Sequence, residues 1–353
     1  MKLARRNIVV ITALLLAVEP SDAQWWKART PSPTPRPRVA PIPRAQPVES
    51  PTPVPTPKVL VALPNYDIIT STRLQIFLDN NNFGPGKIDG EMGEFFRKAL
   101  LAYKAAHGMA LTGVVEPVMI EQVPQVYTTY EIRPEDFKLI GPAPTEPSEQ
   151  AKLKELRYEN FLELVAERFH ASQAYIQKLN PGMRAEQLQP GNVLTVPNVR
   201  PFEIEKLKEE FNKENPAFVN RKIFIDTKER FLIVRDGDKI VCEFPITPGS
   251  TSLPAPKGTW KILGSVTLPW FRHDEGMLNY GVRTDDFHNL PPGPNNPVGV
   301  LWMGLNKKGI GIHGTNHPET IGRAASHGCI RLANWDAARV KDLVSVGNVV
   351  EIF

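Results

Sequence analysis

Apolar residues at helical spacing mark two early helices. Leu74, Phe77 and Leu78 share one helix face, and Phe96, Leu100 and Tyr103 recur at i, i+4 and i+7 on a second. Between them Gly84-Pro85-Gly86 and Ile88-Asp89-Gly90 break the period, and Gly108 is placed to end the second helix. Leu162, Val165, Ala166 and Phe169 form another stripe, and Ser172 is placed to cap a further helix running to Leu179. Asn180-Pro181-Gly182 then turns the chain toward a strand over 193–196. From Arg221 strand patterns take over. Residues 222–226, 231–235 and 239–244 predict strands, the last two joined by a hairpin at Asp236-Gly237. Residues 256–262 read as a turn and strand, and 301–303, 309–312 and 349–353 as short strands. The Pro- and Gly-rich stretch 291–297 predicts a loop bordering a cleft. Asn334 is expected to cap a helix over 335–344, with Asp336 in its first turn, where the helix dipole favours an anion.

The ends of this pattern set the organisation. Lys2, Arg5 and Arg6 precede an apolar run over 8–18, and Ser21-Asp22-Ala23 supplies small residues for cleavage. Residues 1–23 therefore predict an export signal cleaved near Ala23, an uncleaved anchor being the alternative. Residues 24–58 form a Pro-rich linker, with Pro31, Pro33, Pro35, Pro37, Pro51, Pro53, Pro55 and Pro57 favouring extended backbone over a packed core. The remainder of the 353 residues suffices for two or three small domains. Residues from about 116 are richer in proline and charge, and 123–155 are assigned to a connector. A net charge of +4 is too weak to argue for nucleic acid, and none is expected as partner.

Only two cysteines occur, Cys242 and Cys329. Export would permit a disulfide between them, but Cys242 sits in an apolar strand pattern and reads as a small buried hydrophobe. Cys329 has a different setting. It follows Ser326-His327-Gly328 and precedes Ile330-Arg331-Leu332, with His313-Gly314-Thr315 upstream. A thiol attacks as its thiolate, and a nearby imidazole accepts the proton. Successive N–H groups from Ser326 to Cys329 offer a candidate oxyanion hole, where Gly328 leaves the backbone open. Zinc ligation by His313, His317, His327 and Cys329 is the metal alternative. Gly314 within and Pro318 just after the His313–His317 spacing oppose a helix presenting both imidazoles, and no metal or other cofactor is expected.

The run from His313 to Leu332 resembles the signature of the L,D-transpeptidases of bacterial peptidoglycan. That resemblance implies Cys329 as nucleophile and His313 as proton acceptor and donor. It further implies His327 with Gly328 in the oxyanion loop, Ser326 and Gly314 in support, and Arg331 on a substrate carboxylate. The implied reaction acylates Cys329 with a tetrapeptide stem, releases D-alanine and passes the acyl group to an amine. Water as acceptor would make an L,D-carboxypeptidase, and a non-catalytic wall-binding protein is a further alternative. Papain-like hydrolases place the cysteine before the histidine, the reverse of the order here. Residues 59–122 resemble a peptidoglycan-binding helical domain, through Ile88-Asp89-Gly90 and Leu111-Thr112-Gly113. Residues 156–199 resemble a LysM module, through Leu179-Asn180-Pro181 and Pro190-Gly191-Asn192-Val193, without a clear opening strand. The expected fold is thus multidomain α+β: a small helical domain, a small LysM-like α/β module and a mostly β, sandwich-like catalytic domain over 221–353. Expected partners are stem peptides and glycan strands, in a periplasm or cell wall. The sequence leaves the oligomeric state open.

Overall fold

Asp67 accepts hydrogen bonds from the N–H groups of Ile69 and Thr70 and so starts helix α1, Ile68–Asn80. The structure is a computed structural model that describes residues 62–212, 214–250, 253–323 and 328–353. The expected signal segment and Pro-rich linker lie outside them. Helices α2 (Glu94–Ala106) and α3 (Pro117–Glu121) complete the first helical group. Its core holds Leu74, Phe77, Phe96, Leu100 and Met119, all buried. After a short helix α4 (Pro147–Gln150) come α5 (Phe161–Arg168) and α6 (Gln173–Leu179), the latter capped by Ser172, whose Oγ accepts from Tyr175 N–H.

The connector contributes more than a connection. Its residues Tyr127–Glu131 form strand β1, which pairs antiparallel with β2 (Val193–Pro197), Tyr127 opposite Pro197 and Glu131 opposite Val193. Among the described residues no strand lies between Glu131 and Phe161, so β2 takes its partner from the segment assigned to the connector. Tyr127-Thr-Thr-Tyr130 alternates too weakly, among prolines and charges, to announce it.

The C-terminal part is built on one eight-stranded sheet. Its strands are β3 (Lys222–Asp226), β4 (Phe231–Asp236), β5 (Lys239–Pro245), β6 (Gly258–Thr267), β9 (Leu301–Leu305), β10 (Gly311–His313), β11 (Ile330–Arg331) and β12 (Val349–Ile352). They lie in the order β11-β10-β9-β6-β12-β3-β4-β5. Alternation along β3 buries Ile223 and Ile225 and leaves Lys222 outside. A two-stranded ribbon, β7 (Phe271–His273) with β8 (His288–Leu290), carries helix α7 (Glu275–Tyr280) between its strands. Helix α8 spans Asn334–Leu343. The sandwich-like expectation is corrected in form: a single sheet curls until its ends meet. Thr247, just past β5, exchanges two backbone hydrogen bonds with Arg331 on β11, at 2.9 and 3.0 Å.

The helical, two-stranded and β-rich parts pack as one compact unit. One apolar cluster runs from Leu74 on α1 through Val165 on α5 to Val300, Ile321 and Trp335 of the C-terminal part. An ion pair crosses the same boundary: Arg339 Nη2 on α8 donates to Asp79 Oδ2 on α1 at 2.6 Å. Burial pushes the Asp79 carboxyl up, but Arg339 foremost outweighs it and holds it well below the usual carboxylate range. The contribution of Asp79 is therefore complete at neutral pH and is lost as pH falls through the carboxylate range. Asp79→Ala leaves the guanidinium without its buried counter-charge, and thermal unfolding at neutral pH should show a loss of about 3–5 kcal/mol. A change under 1 kcal/mol would mean that water replaces the carboxylate at no penalty.

The loop 291–297 lends Asn295 to a cavity beside α5. Leu156, just past the connector, pairs with it, its N–H donating to Pro292 O at 2.8 Å and its carbonyl accepting from Asn295 N–H at 3.0 Å. Gly293 allows the approach, since a Cβ there would lie 2.1 Å from Leu156 O.

Candidate active site

Strands β10 and β11 are parallel neighbours, with Ile312 opposite Ile330 and His313 opposite Arg331. Both isoleucines are fully buried. Alternation then turns His313, Arg331 and Cys329, the residue before Ile330, to the other face. One strand spacing across and two residues along place the Cα atoms of His313 and Cys329 roughly 8 Å apart. An imidazole and a thiol pointing to the same side span that distance. The sixteen-residue separation in sequence is closed by the parallel register, which requires the long crossover 314–329.

His313 is 4% exposed. Its ring stacks on Trp302, its register partner on β9, with centroids 5.5 Å apart and planes at 24°. Nδ1 lies 2.6 Å from the carbonyl oxygen of Gly314. A carbonyl only accepts, so the proton belongs on Nδ1 and the lone pair of the neutral ring on Nε2. Burial, and then the charge of Arg331, push the imidazole down to about 3 against a smaller upward pull from the Gly314 carbonyl.

Cys329 is half-buried, and its thiol donates to Gly309 O at 3.5 Å. Burial pushes this thiol up; the Gly311 N–H and Arg331 pull it down without cancelling that effect. The resting pair is thus a neutral thiol beside a neutral imidazole. Cys242 is wholly buried on β5 and keeps its thiol, its pKa raised by burial far beyond the range of a reactive thiol. Gly328 has φ of +95°, a backbone that disfavours any side chain. Arg331 sits half-buried, and its charge favours the Cys329 thiolate and disfavours the His313 imidazolium. Ser326 and His327 lie outside the described residues.

Several residues around this centre gave no sequence signal of a role. Asn334 is one, and its expected cap does not form: it is the first residue of α8 and no side chain caps that helix. Its amide turns inward instead, Oδ1 accepting from Val300 and Thr315 N–H at 3.2 Å each. Asp336, expected in the first turn where the dipole favours an anion, is there but buried, and that burial pushes it up to about 8. Met277 of α7 is another: a Cβ on Gly309 would come within 2.7 Å of its Cε, so Met277 packs against the β9–β10 turn that contacts the thiol.

Two cavities flank the crossover between His313 and Cys329. One of about 580 Å³ lies between α5 and the loop through His317 and Glu319. The other, about 430 Å³, lies between Phe95 at the start of α2 and the loop through Gly322 and Arg323. Neither is lined by Cys329.

Residues 220–352 match the family model of the L,D-transpeptidase catalytic domain, YkuD. The C-terminal part of this chain is a YkuD-type L,D-transpeptidase catalytic domain. The YkuD protein of Bacillus licheniformis, assigned to the L,D-transpeptidases, is 28% identical over 191 residues, covering 54% of this chain and 92% of that protein. The ErfK/SrfK protein of Escherichia coli K12, assigned to the same class, is 25% identical over 237 residues, covering 64% of this chain and 67% of that one. A solved L,D-transpeptidase from Mycobacterium smegmatis is 20% identical with a TM-score of 0.32, and the chain spans 58% of its length; that likeness is too loose to bear on the site. Within the L,D-transpeptidase domain fall His313, Gly314, Gly328, Cys329 and Arg331. The helices α1 to α6 lie outside the matched residues.

Proposed function

We propose that this protein is an exported cysteine L,D-transpeptidase that cross-links peptidoglycan stems. Cys329 Sγ attacks the carbonyl carbon of the L-centre residue that precedes a terminal D-alanine. Its proton passes to His313 Nε2 as the carbon–sulfur bond forms. The carbon–nitrogen bond then breaks, Nε2 returns the proton to the departing amine, and a thioester remains. An acceptor amine attacks that thioester, gives its proton to Nε2, and the sulfur leaves and is reprotonated. The N–H groups of Gly328 and Cys329, with His327, would hold the oxyanion, and Arg331 a substrate carboxylate.

The observation that carries this reading is the β10–β11 register, which sets His313 and Cys329 on one face with Nδ1 committed to Gly314. The preceding helices and the β1–β2 pair would hold glycan strands or stems, the reading that the resemblances in 59–122 and 156–199 support. The basic and apolar start of the chain supports export to the compartment that contains such stems.

Purified protein incubated with tetrapeptide muropeptides and analysed by mass spectrometry tests the reaction. A dimer lighter by one D-alanine is expected. Tripeptide alone would make the protein an L,D-carboxypeptidase. Unchanged tetrapeptide, with no acyl adduct on the protein, would favour the non-catalytic wall-binding alternative.

A further inference from the structure

We propose that Glu167, on α5 and outside the L,D-transpeptidase domain, is a positioning residue for the base: it fixes the Asn334 amide, which holds the turn that orients His313. The proposal rests on the acyl-transfer reading for its kinetic consequence, but its geometry stands apart from it.

Asn334 is fully buried. Its Oδ1 receives two N–H groups that belong to different segments, Val300 before β9 and Thr315 after β10. The backbone closes tightly on that oxygen. A Cβ on Gly314 would lie 2.3 Å from Oδ1, and one on Gly299 2.1 Å from it. Gly314 is the residue whose carbonyl takes the Nδ1 proton of His313 at 2.6 Å. The amide oxygen thus braces the peptide units on which the imidazole is hung.

An amide does this only in one orientation. Rotated by half a turn, it would point its own donors at two N–H groups. The other end of Asn334 decides which way it faces: Nδ2 lies 3.1 and 3.3 Å from the two carboxyl oxygens of Glu167 and 3.3 Å from Pro294 O. Burial pushes the Glu167 carboxyl up to about 8, yet Pro294 O and Glu167 Oε1, which takes the Tyr158 hydroxyl, accept whether or not the other carboxyl oxygen holds a proton, so they select the amide orientation that sends Oδ1 to Val300 and Thr315. Glu167 is itself held. It is 5% exposed, and Tyr158, also buried, donates to its Oε1 at 2.8 Å. A chain of hydrogen bonds therefore runs from Tyr158 through Glu167 and Asn334 to the turn beside His313. Such a chain couples the packing of α5 to the base, because small displacements of a catalytic group cost rate steeply.

The test uses the full chain with two readouts. One is kcat and KM on tetrapeptide muropeptides. The other is the exchange rate of the His313 Nδ1 proton in protein carrying nitrogen-15 histidine, its signal assigned by loss in His313→Gln. Glu167→Leu should lower kcat by about 10- to 100-fold with KM nearly constant, and should speed exchange of the Nδ1 proton. Glu167→Gln, which keeps an acceptor for Nδ2, should recover most of both. A folded Glu167→Leu protein with unchanged kcat and exchange overturns the proposal, as does a glutamine variant no better than leucine. Should the leucine variant fail to fold, a reversed pair decides. Asn334→Asp sets a carboxylate against Glu167 and should lose activity. Adding Glu167→Gln reverses donor and acceptor and should restore at least about tenfold; no restoration overturns the proposal. Wild-type protein without product would defeat the acyl-transfer reading, while the Nδ1 exchange would still decide the role of Glu167.

Discussion

Cys329→Ala is expected to abolish cross-link formation, lowering turnover by on the order of 10⁶-fold, as loss of a nucleophile does where reacting groups act as a unit. The fold should persist. Cys329 is half-buried at a strand entrance, and the change removes one sulfur without breaking a backbone bond of β10 or β11. The second cysteine supplies an internal control. Cys242 is buried within β5, so iodoacetamide should modify folded wild-type protein once and the variant not at all. After denaturation the counts should become two and one. Cross-links made by the alanine variant, or one modification of it while folded, would remove Cys329 from the mechanism.

Much of this centre was legible in sequence, and the reason is local. His313-Gly314 and Gly328-Cys329-Ile330-Arg331 place an imidazole, a thiol, a turn and strand residues within a few positions of each other. Strands β3, β4 and β5 announced themselves by alternation and by Asp236-Gly237, where Gly237 takes φ of +58°. What stayed hidden depends on partners distant in the chain. Asn334 read as a helix cap because local geometry favours that use; its actual neighbours, Val300, Thr315 and Glu167, come from three other segments. Strand β1 is fixed by β2, more than sixty residues later, rather than by its own pattern. The curl of the sheet could not be foreseen either, since it depends on Thr247 meeting Arg331 across the closed end.

The same distance effect changes how the N-terminal parts are understood. Sequence divides them from the catalytic domain by composition, as modules on a string. Contacts join them instead, and several end on the crossover between His313 and Cys329. Lys87 pairs with Glu319 at 3.4 Å, and Gln173 N–H donates to the same carboxylate at 2.9 Å. Arg230 grips Glu94 of α2 and donates to Gly322 O. A Cβ on Gly322 would fall 1.9 Å from the Phe95 ring, so the glycine permits α2 to seat directly on the crossover. The crossover between His313 and Cys329 is therefore anchored at Glu319 and Gly322 from outside the catalytic domain.

His313→Ala should lower kcat by about 10²–10⁴-fold, the range typical of a lost general base. Its effect on simple alkylation of Cys329 should be far smaller, and this contrast follows from the resting charges. Burial and Arg331 hold His313 near 3, and burial raises the Cys329 thiol, so at neutral pH the thiol keeps its proton and the imidazole stays neutral. The proton must then move during attack, when the acyl carbon draws charge from sulfur, and only that step needs Nε2. Alkylation of folded wild-type protein should accordingly rise about tenfold per pH unit from 6 to 8, following the small thiolate fraction, with no plateau in that interval. His313→Ala should leave the same slope and change the rate by only a few-fold. A preformed thiolate–imidazolium pair makes the opposite prediction: a plateau beginning below neutral pH that the alanine variant abolishes. Stopped-flow alkylation of both proteins across this interval separates the two, and the plateau would show that substrate-free electrostatics already drive the proton to His313.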